Sequence, residues 1–252
     1  MAIEIFRRKE QKYLITMNQY ESLIEKIYPF MRPDKFGEDG KYTVTSLYFE
    51  STDKKIYYET KNKLMYRQKL RLRVYNDANL DSTAFFEVKQ KHKKVVNKRR
   101  MLLPLSEAYR YIHALDEDLN NIETSNQQVL REIDYFKKLY NLKPEMVVSY
   151  DRHALHHRED ANLRMTFDFN LRCRNHDLQL ENGSYGELFI DPNLVVLEVK
   201  VDDSVPLWLA RILQELNCEQ RSASKFCTSM ELLYDMHPPV GTNKELVSIG
   251  GF

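Results

Sequence analysis

Lys69-Leu70-Arg71-Leu72-Arg73-Val74-Tyr75 alternates basic with apolar residues without a break. Side chains alternate across a β-strand, so residues two apart share a face. In an extended chain Lys69, Arg71 and Arg73 then share one face, with Leu70, Leu72 and Val74 on the other. The design recurs along the sequence. Glu87, Lys89 and Lys91 stand opposite Phe86, Val88 and Gln90, and Lys98 with Arg100 forms a further row. Glu198 and Lys200 stand opposite Leu197, Val199 and Val201; Arg164, Thr166 and Asp168 stand opposite Met165 and Phe167; Glu10 pairs in phase with Lys12.

A single such strand is explained by a half-buried sheet with one wet face. Six rows of predominantly like charge are not, because neighbouring cations on one face repel unless counter-charges lie between them. If the strands close into a barrel with these faces inward, the interior becomes a positively lined tunnel wide enough for one small ligand. Phosphate is the anion whose repeated charges best match several Arg and Lys side chains. In such a tunnel Glu10, Glu87, Asp168 and Glu198 act as partners for lysine or as oxygen ligands for a hard divalent cation, Mg²⁺ or Mn²⁺, with Glu198 the strongest candidate.

Alternation and β-branched or aromatic content predict eight strands, at 3–14, 43–50, 66–75, 84–91, 94–103, 145–153, 163–173 and 194–201. Helical periodicity marks 18–28, 106–114, 127–139, 206–216 and 224–236, with Thr16 the cap of the first helix. Strands grouped on either side of a helical insertion give an α+β class, an antiparallel eight-stranded β-barrel flanked by helices. No long Ser- or Pro-rich linker divides the chain, so residues 1–236 are expected to form one domain and 237–252 a flexible tail.

Among the 252 residues, 42% are hydrophobic and 30% charged, the mixture of a packed globular protein. The net charge of +1 cannot steer a polyanion from a distance, so clustering must. Seven basic residues and no acidic one fall between Lys89 and Arg100. Three scattered cysteines form no disulfide framework, and neither a signal peptide nor a membrane-length apolar run is present, so a cytoplasmic location is expected.

An ordered set of segments resembles one family. Arg8-Lys9-Glu10-Gln11-Lys12-Tyr13-Leu14-Ile15, Ser46-Leu47-Tyr48-Phe49-Glu50-Ser51, the stretch from Lys69 to Tyr75, Phe86-Glu87-Val88-Lys89, Lys98-Arg99-Arg100, Ser149-Tyr150-Asp151-Arg152-His153-Ala154, Leu163-Arg164-Met165-Thr166-Phe167-Asp168, Leu197-Glu198-Val199-Lys200 and Ser224-Lys225-Phe226 resemble the signatures of the vacuolar transporter chaperone (VTC) polyphosphate polymerase domain. That domain belongs to the CYTH-like triphosphate tunnel metalloenzymes. The resemblance implies transfer of the γ-phosphate of ATP to a growing polyphosphate chain, with Mn²⁺ or Mg²⁺ as cofactor. It assigns catalytic and phosphate-binding roles to Lys12, Arg71, Arg73, Lys89, Lys98, Arg152, Arg164 and Lys225, and metal binding to Glu198; the alternating rows add Lys200 to the catalytic set and Glu10 to the metal ligands. ATP and polyphosphate are the implied partners. Nucleic acid is not expected; fungal members also carry an SPX sensor and membrane helices that are not found in this sequence, so the resemblance does not extend to coupling with a transport pore unless a separate membrane protein is a partner. The hydrolytic branch opens with Glu-x-Glu-x-Lys, whereas Arg8 stands here in place of the first glutamate, which disfavours a thiamine triphosphatase or a class IV adenylyl cyclase; a triphosphate hydrolase of the same fold and a non-catalytic polyphosphate- or nucleotide-binding module are the alternatives.

His153, His156 and His157 lack a fourth zinc ligand at recognisable spacing and are expected at the surface or the barrel rim. Cys173, Cys218 and Cys227 sit near no base in sequence and are expected to be inert. Phe85, Phe86 and Tyr75 could stack bases beside the basic run, but aromatic interleaving is modest and alternation places Phe86 on the apolar face, where a core role is favoured, which leaves RNA binding an outside alternative; Trp208 is expected to pack a helix on the barrel.

Overall fold

The computed structural model describes residues 9–93, 95–114, 119–221 and 224–235. Ten strands are formed by β1 (Lys9–Thr16), β2 (Met31–Pro33), β3 (Lys41–Glu50), β4 (Tyr66–Tyr75), β5 (Thr83–His92), β6 (Val95–Pro104), β7 (Lys143–His157), β8 (Arg164–Arg174), β9 (Glu187–Leu188) and β10 (Leu194–Val201). The helices are α1 (Met17–Ile27), α2 (Lys55–Lys61), α3 (Leu105–His113), α4 (Gln127–Tyr140), α5 (Leu207–Glu215) and α6 (Lys225–Leu233). All eight long strands fall where alternation predicts them, although residues 3–8 of the first lie outside the described residues, as does the segment 237–252 read as a tail. The short β2, β9 and α2 have no counterpart among the predicted elements.

Helix α2 escapes detection because its signals are not local to it. It has seven residues, begins after a left-handed Lys54 and has no side chain at its own cap position that accepts a hydrogen bond. The buried carboxylate of Glu50 caps it instead, accepting from the amides of Ile56 and Tyr57 at 2.9 and 2.8 Å. Thr16, by contrast, forms the expected capping box with Gln19 at the start of α1.

Strand order in the antiparallel sheet is β1-β10-β8-β7-β3-β4-β5-β6, with β2 on β7 and β9 on β8. The sheet curls, yet β1 and β6 are not paired with each other, which corrects the expectation of a closed eight-stranded barrel. Both edges find other partners. Ser125 donates its amide to the Leu102 carbonyl at 2.9 Å on β6, and Arg221 donates to the Lys12 carbonyl at 2.8 Å on β1.

Two apolar cores lie outside the curl. Ile15, Met165, Phe167, Leu197 and Val199 pack with Leu23 and Ile27 of α1 and Leu209 and Leu213 of α5. Leu70, Leu72, Val74, Phe86 and Met101 pack with α2, α3 and α4. Trp208 joins the first core at its margin and stacks on Phe30, ring centroids 4.4 Å apart. Because alternate residues of the same strands point the other way, the charged rows face a central lumen. Toward one end these inward positions turn apolar: Leu14, Tyr48, Met146, Val148 and Val196 join Phe226 and Met230 of α6, which stops that end.

Candidate active site in a cationic lumen

The inward row of β4 meets its counter-charge on β5. Arg71 Nε donates to Glu87 Oε2 at 2.6 Å, Lys98 of β6 pairs with the other Glu87 oxygen, and Arg73 stands 4.0 Å from the carboxylate. Arg73 also donates to Ser46 Oγ at 3.1 Å and to the Tyr150 hydroxyl at 3.3 Å. Glu87 is only 2% exposed, a position an unpaired carboxylate would not tolerate. Burial alone would raise its pKa, but Arg71, Arg73 and Lys98 outweigh that and hold it well below the usual carboxylate range.

A second cluster forms across the lumen. Asp168, fully buried, receives a bidentate pair from Arg152 at 2.7 and 2.9 Å and the ammonium of Lys225 at 2.7 Å. Lys225 reaches Glu198 at 3.2 Å, where Lys12 and Lys200 also converge at 2.8 and 3.2 Å. Arg152 shares the Tyr150 hydroxyl with Arg73, so one phenol links the two clusters. At the open end Arg164 donates to Asp34 at 2.7 Å and to the Tyr42 hydroxyl at 3.1 Å. Helix α6 contributes through its start: Ser224 caps it and accepts from Lys69 Nζ at 3.0 Å, while Lys225 follows into the lumen.

The structure thus brings together every residue singled out from the sequence: Lys12, Arg71, Arg73, Lys89, Lys98, Arg152, Arg164, Lys200 and Lys225, with the carboxylates Glu10 and Glu198. Lys69, Tyr48, Tyr150, Ser46 and Asp34 complete the site without having been given roles. Lys69 belongs to the quoted row and was legible there; Ser46, Tyr48 and Tyr150 fall in phase within quoted segments but carry no charge to mark them, and Asp34 lies in a loop. Ten cations, the nine above and Lys69, face the five carboxylates Glu10, Asp34, Glu87, Asp168 and Glu198. Basic groups outnumber carboxylates two to one there, and a polyanion is the ligand that would offset the excess.

Lys89 takes no part in these ion pairs. It lies open to solvent, near Glu10 and Lys12 of β1. Desolvation by the lumen walls, with Lys12 and Arg71, lowers its pKa. Burial likewise depresses Lys69 and Lys200 and brings Lys98 down to about 7, Arg71 and Arg73 adding to the effect against Glu87. Tyr48 shifts the opposite way: burial raises it, but Arg71, Arg73 and Lys69 overcome this and bring it to about 8.

Glu10 and Glu198 sit on paired strands with Lys12 Nζ between them, 3.2 and 2.8 Å away. A cation therefore already occupies the space between the two carboxylates. The pair suits a hard divalent ion that brings phosphate oxygens as its remaining ligands. Among the described residues no cluster of three or more His, Cys, Asp or Glu could hold a metal on its own. The three histidines diverge: His153 bonds Tyr20 at 2.9 Å, His156 meets Asp34 at 3.3 Å, and His157 lies against Trp208. Burial pushes the Cys173 thiol up to about 12 and raises Cys218 and Cys227, in keeping with inert cysteines.

Comparison with known families follows the same geometry. The VTC domain model matches residues 7–234, nearly the whole chain. The chain belongs to the VTC domain family. No curated protein matches this VTC domain in sequence. Among solved structures it resembles a candidate adenylate cyclase from Bacillus halodurans, with a TM-score of 0.54 at 15% identity, covering 89% of this chain and 96% of that one. It also resembles HpAC1 from Hippeastrum, a candidate adenylyl cyclase described as having a dominant triphosphatase activity, with a TM-score of 0.50 at 13% identity, covering 92% and 98%. At these identities the VTC domain shares their fold. No helix among its described residues is long and apolar enough to cross a membrane.

Proposed function

We propose that this VTC domain is a polyphosphate polymerase that transfers the γ-phosphate of ATP to a growing polyphosphate chain inside the lumen. The observation that carries this reading is the gathering of ten cations and five carboxylates on the inner face of the curled sheet, with the hydrophobic cores outside. Phosphoryl transfer needs alignment and charge neutralisation more than covalent help, and fixed cations in a desolvated site supply both. Arg71, Arg73, Arg152 and Arg164 offer planar bidentate donors to phosphate oxygens; Lys12, Lys89, Lys98, Lys200 and Lys225 offer point charges. Glu198 and Glu10 would hold Mn²⁺ or Mg²⁺, which when bound neutralises phosphate charge as a Lewis acid.

Purified protein incubated with ATP and Mn²⁺ should yield long phosphate polymer. Free phosphate without polymer would instead establish a triphosphate hydrolase, the reading favoured by the activity described for HpAC1. Neither product, with triphosphate still bound, would leave a binding module. The proposed cellular setting is cytoplasmic, with a membrane protein as partner for the product.

Glu198→Gln keeps the shape of the side chain and removes its charge. It should raise the Mn²⁺ concentration required for half-maximal synthesis roughly tenfold or more, and an unchanged metal requirement would remove Glu198 as a ligand.

Affinity for inorganic triphosphate should fall as pH rises from about 7 to about 9. The sign follows from Lys69, Lys89, Lys98 and Lys200, whose pKa values in the free lumen are lowered, Lys98 to about 7. A bound polyanion raises them, so binding takes up protons; it is strongest below the free values and is lost through the bound ones. Tyr48, at about 8, gains negative charge over the same range and acts in the same direction. Calorimetry in buffers of different ionisation enthalpy at about pH 8 should show net proton uptake; net release would contradict the assignment of these lysines.

A further inference from the structure

Beyond the charged clusters, the inward face of the lumen changes character at the end away from α6. On β4 the row Lys69, Arg71, Arg73 is continued by Tyr75, and on β5 the row Lys89, Glu87 is continued by Phe85. Tyr75 and Phe85 meet edge to face with ring centroids 5.3 Å apart, and Tyr42 of β3 meets Tyr75 in the same way at 5.7 Å. All three rings are partly exposed. The Arg100 guanidinium lies over the Phe85 ring, 5.4 Å from its centroid. The collar therefore has π-faces and edges left over for a planar partner.

Its position relative to the cations is fixed by register. Phe85 lies directly across from Arg73, and the Tyr42 hydroxyl accepts from Arg164. Two residues advance about 7 Å along a strand, so Tyr75 stands one step outside Arg73 and two outside Arg71. A phosphate chain lying among Arg71 and Arg73 would present whatever it carries on its outer end to these rings. In a nucleoside triphosphate that group is a ribose bearing an aromatic base.

We infer that the collar of Tyr42, Tyr75 and Phe85, with Arg100 over it, is a nucleobase-stacking subsite at the open mouth of the lumen. The inference rests on the lumen holding the triphosphate, as proposed above. Stacking uses a π-face that every base possesses, so the subsite selects for a nucleotide over bare triphosphate and discriminates little between adenine and guanine.

Titration of the wild-type protein with ATP, GTP and inorganic triphosphate tests this. ATP and GTP should bind alike. In Tyr75→Leu and Phe85→Leu, ATP should bind roughly tenfold more weakly, with inorganic triphosphate held within about twofold of wild type because the phosphate-facing cations are untouched. The fluorescence of etheno-ATP should be quenched on binding to the wild type and less so in the variants. Unchanged ATP affinity in both variants, with triphosphate still bound, would overturn the subsite and leave the lumen reading standing. Loss of both ligands in the variants would make the rings a structural support of the mouth and would also overturn it. Failure of the wild type to bind any triphosphate would remove the lumen reading and the subsite with it.

Discussion

Lys89→Ala should lower polymer synthesis by roughly a hundredfold or more while leaving the folded state as stable as wild type to within about 0.5 kcal/mol. The two halves of this expectation have one cause. Lys89, like Lys69, takes no part in the ion pairs holding the clusters together, and its pKa is lowered by desolvation and by Lys12 and Arg71. Removing it strands no carboxylate and relieves repulsion, but takes away a charge available to the transferring phosphate. Arg71→Ala should abolish synthesis to a similar degree at a greater cost in stability, because Glu87 then keeps only Lys98 and the more distant Arg73. Steady-state rates beside urea denaturation of the same samples separate the two effects. Wild-type synthesis in both variants would mean that the chemistry does not occur in the lumen.

Asp168→Asn should be the most damaging of the substitutions considered, costing about 3–5 kcal/mol of folding stability. The carboxylate has no solvent exposure and compensates both Arg152 and Lys225. Without it two buried cations face each other in a lumen that already carries an excess of positive charge. Part of the loss should be restored by saturating inorganic triphosphate, which returns negative charge to the same space and binds only the folded form. Denaturation midpoints with and without the ligand measure both effects. A midpoint equal to wild type in the absence of ligand would show that Asp168 is dispensable to the charge balance and that Glu198 and packing hold the second cluster without it.

The contrast between these residues marks how far the chain could be read without coordinates. Lys89 and Arg71 were legible because each sits in an alternating row whose opposite face is apolar. Asp168 was legible as an inward carboxylate, but its duty to Lys225 was not, since that contact joins β8 to the first turn of α6. Asp34 gave no signal at all, and Tyr150, although it lies in a quoted segment two residues from Arg152, gave none of its partners. One lies in an irregular loop and reaches Arg164 across 130 positions; the other, a tyrosine in a long strand, reaches Arg73 across 77. Helix α2 went unseen for a related reason, as its cap is a glutamate on the preceding strand.

What the sequence determined by itself was the pair of faces on each strand, and with it the separation of grease from charge. A period of two is a local property, and no partner is needed to establish it. Only the tertiary structure decided that the charged faces look inward rather than out to bulk water, that the sheet curls without β1 meeting β6, and that α6 stops one end. The physical reason is that curl, edge pairing and plugging are settled by contacts between residues far apart in the chain. Lys69 and Ser224 are 155 positions apart and yet share a hydrogen bond.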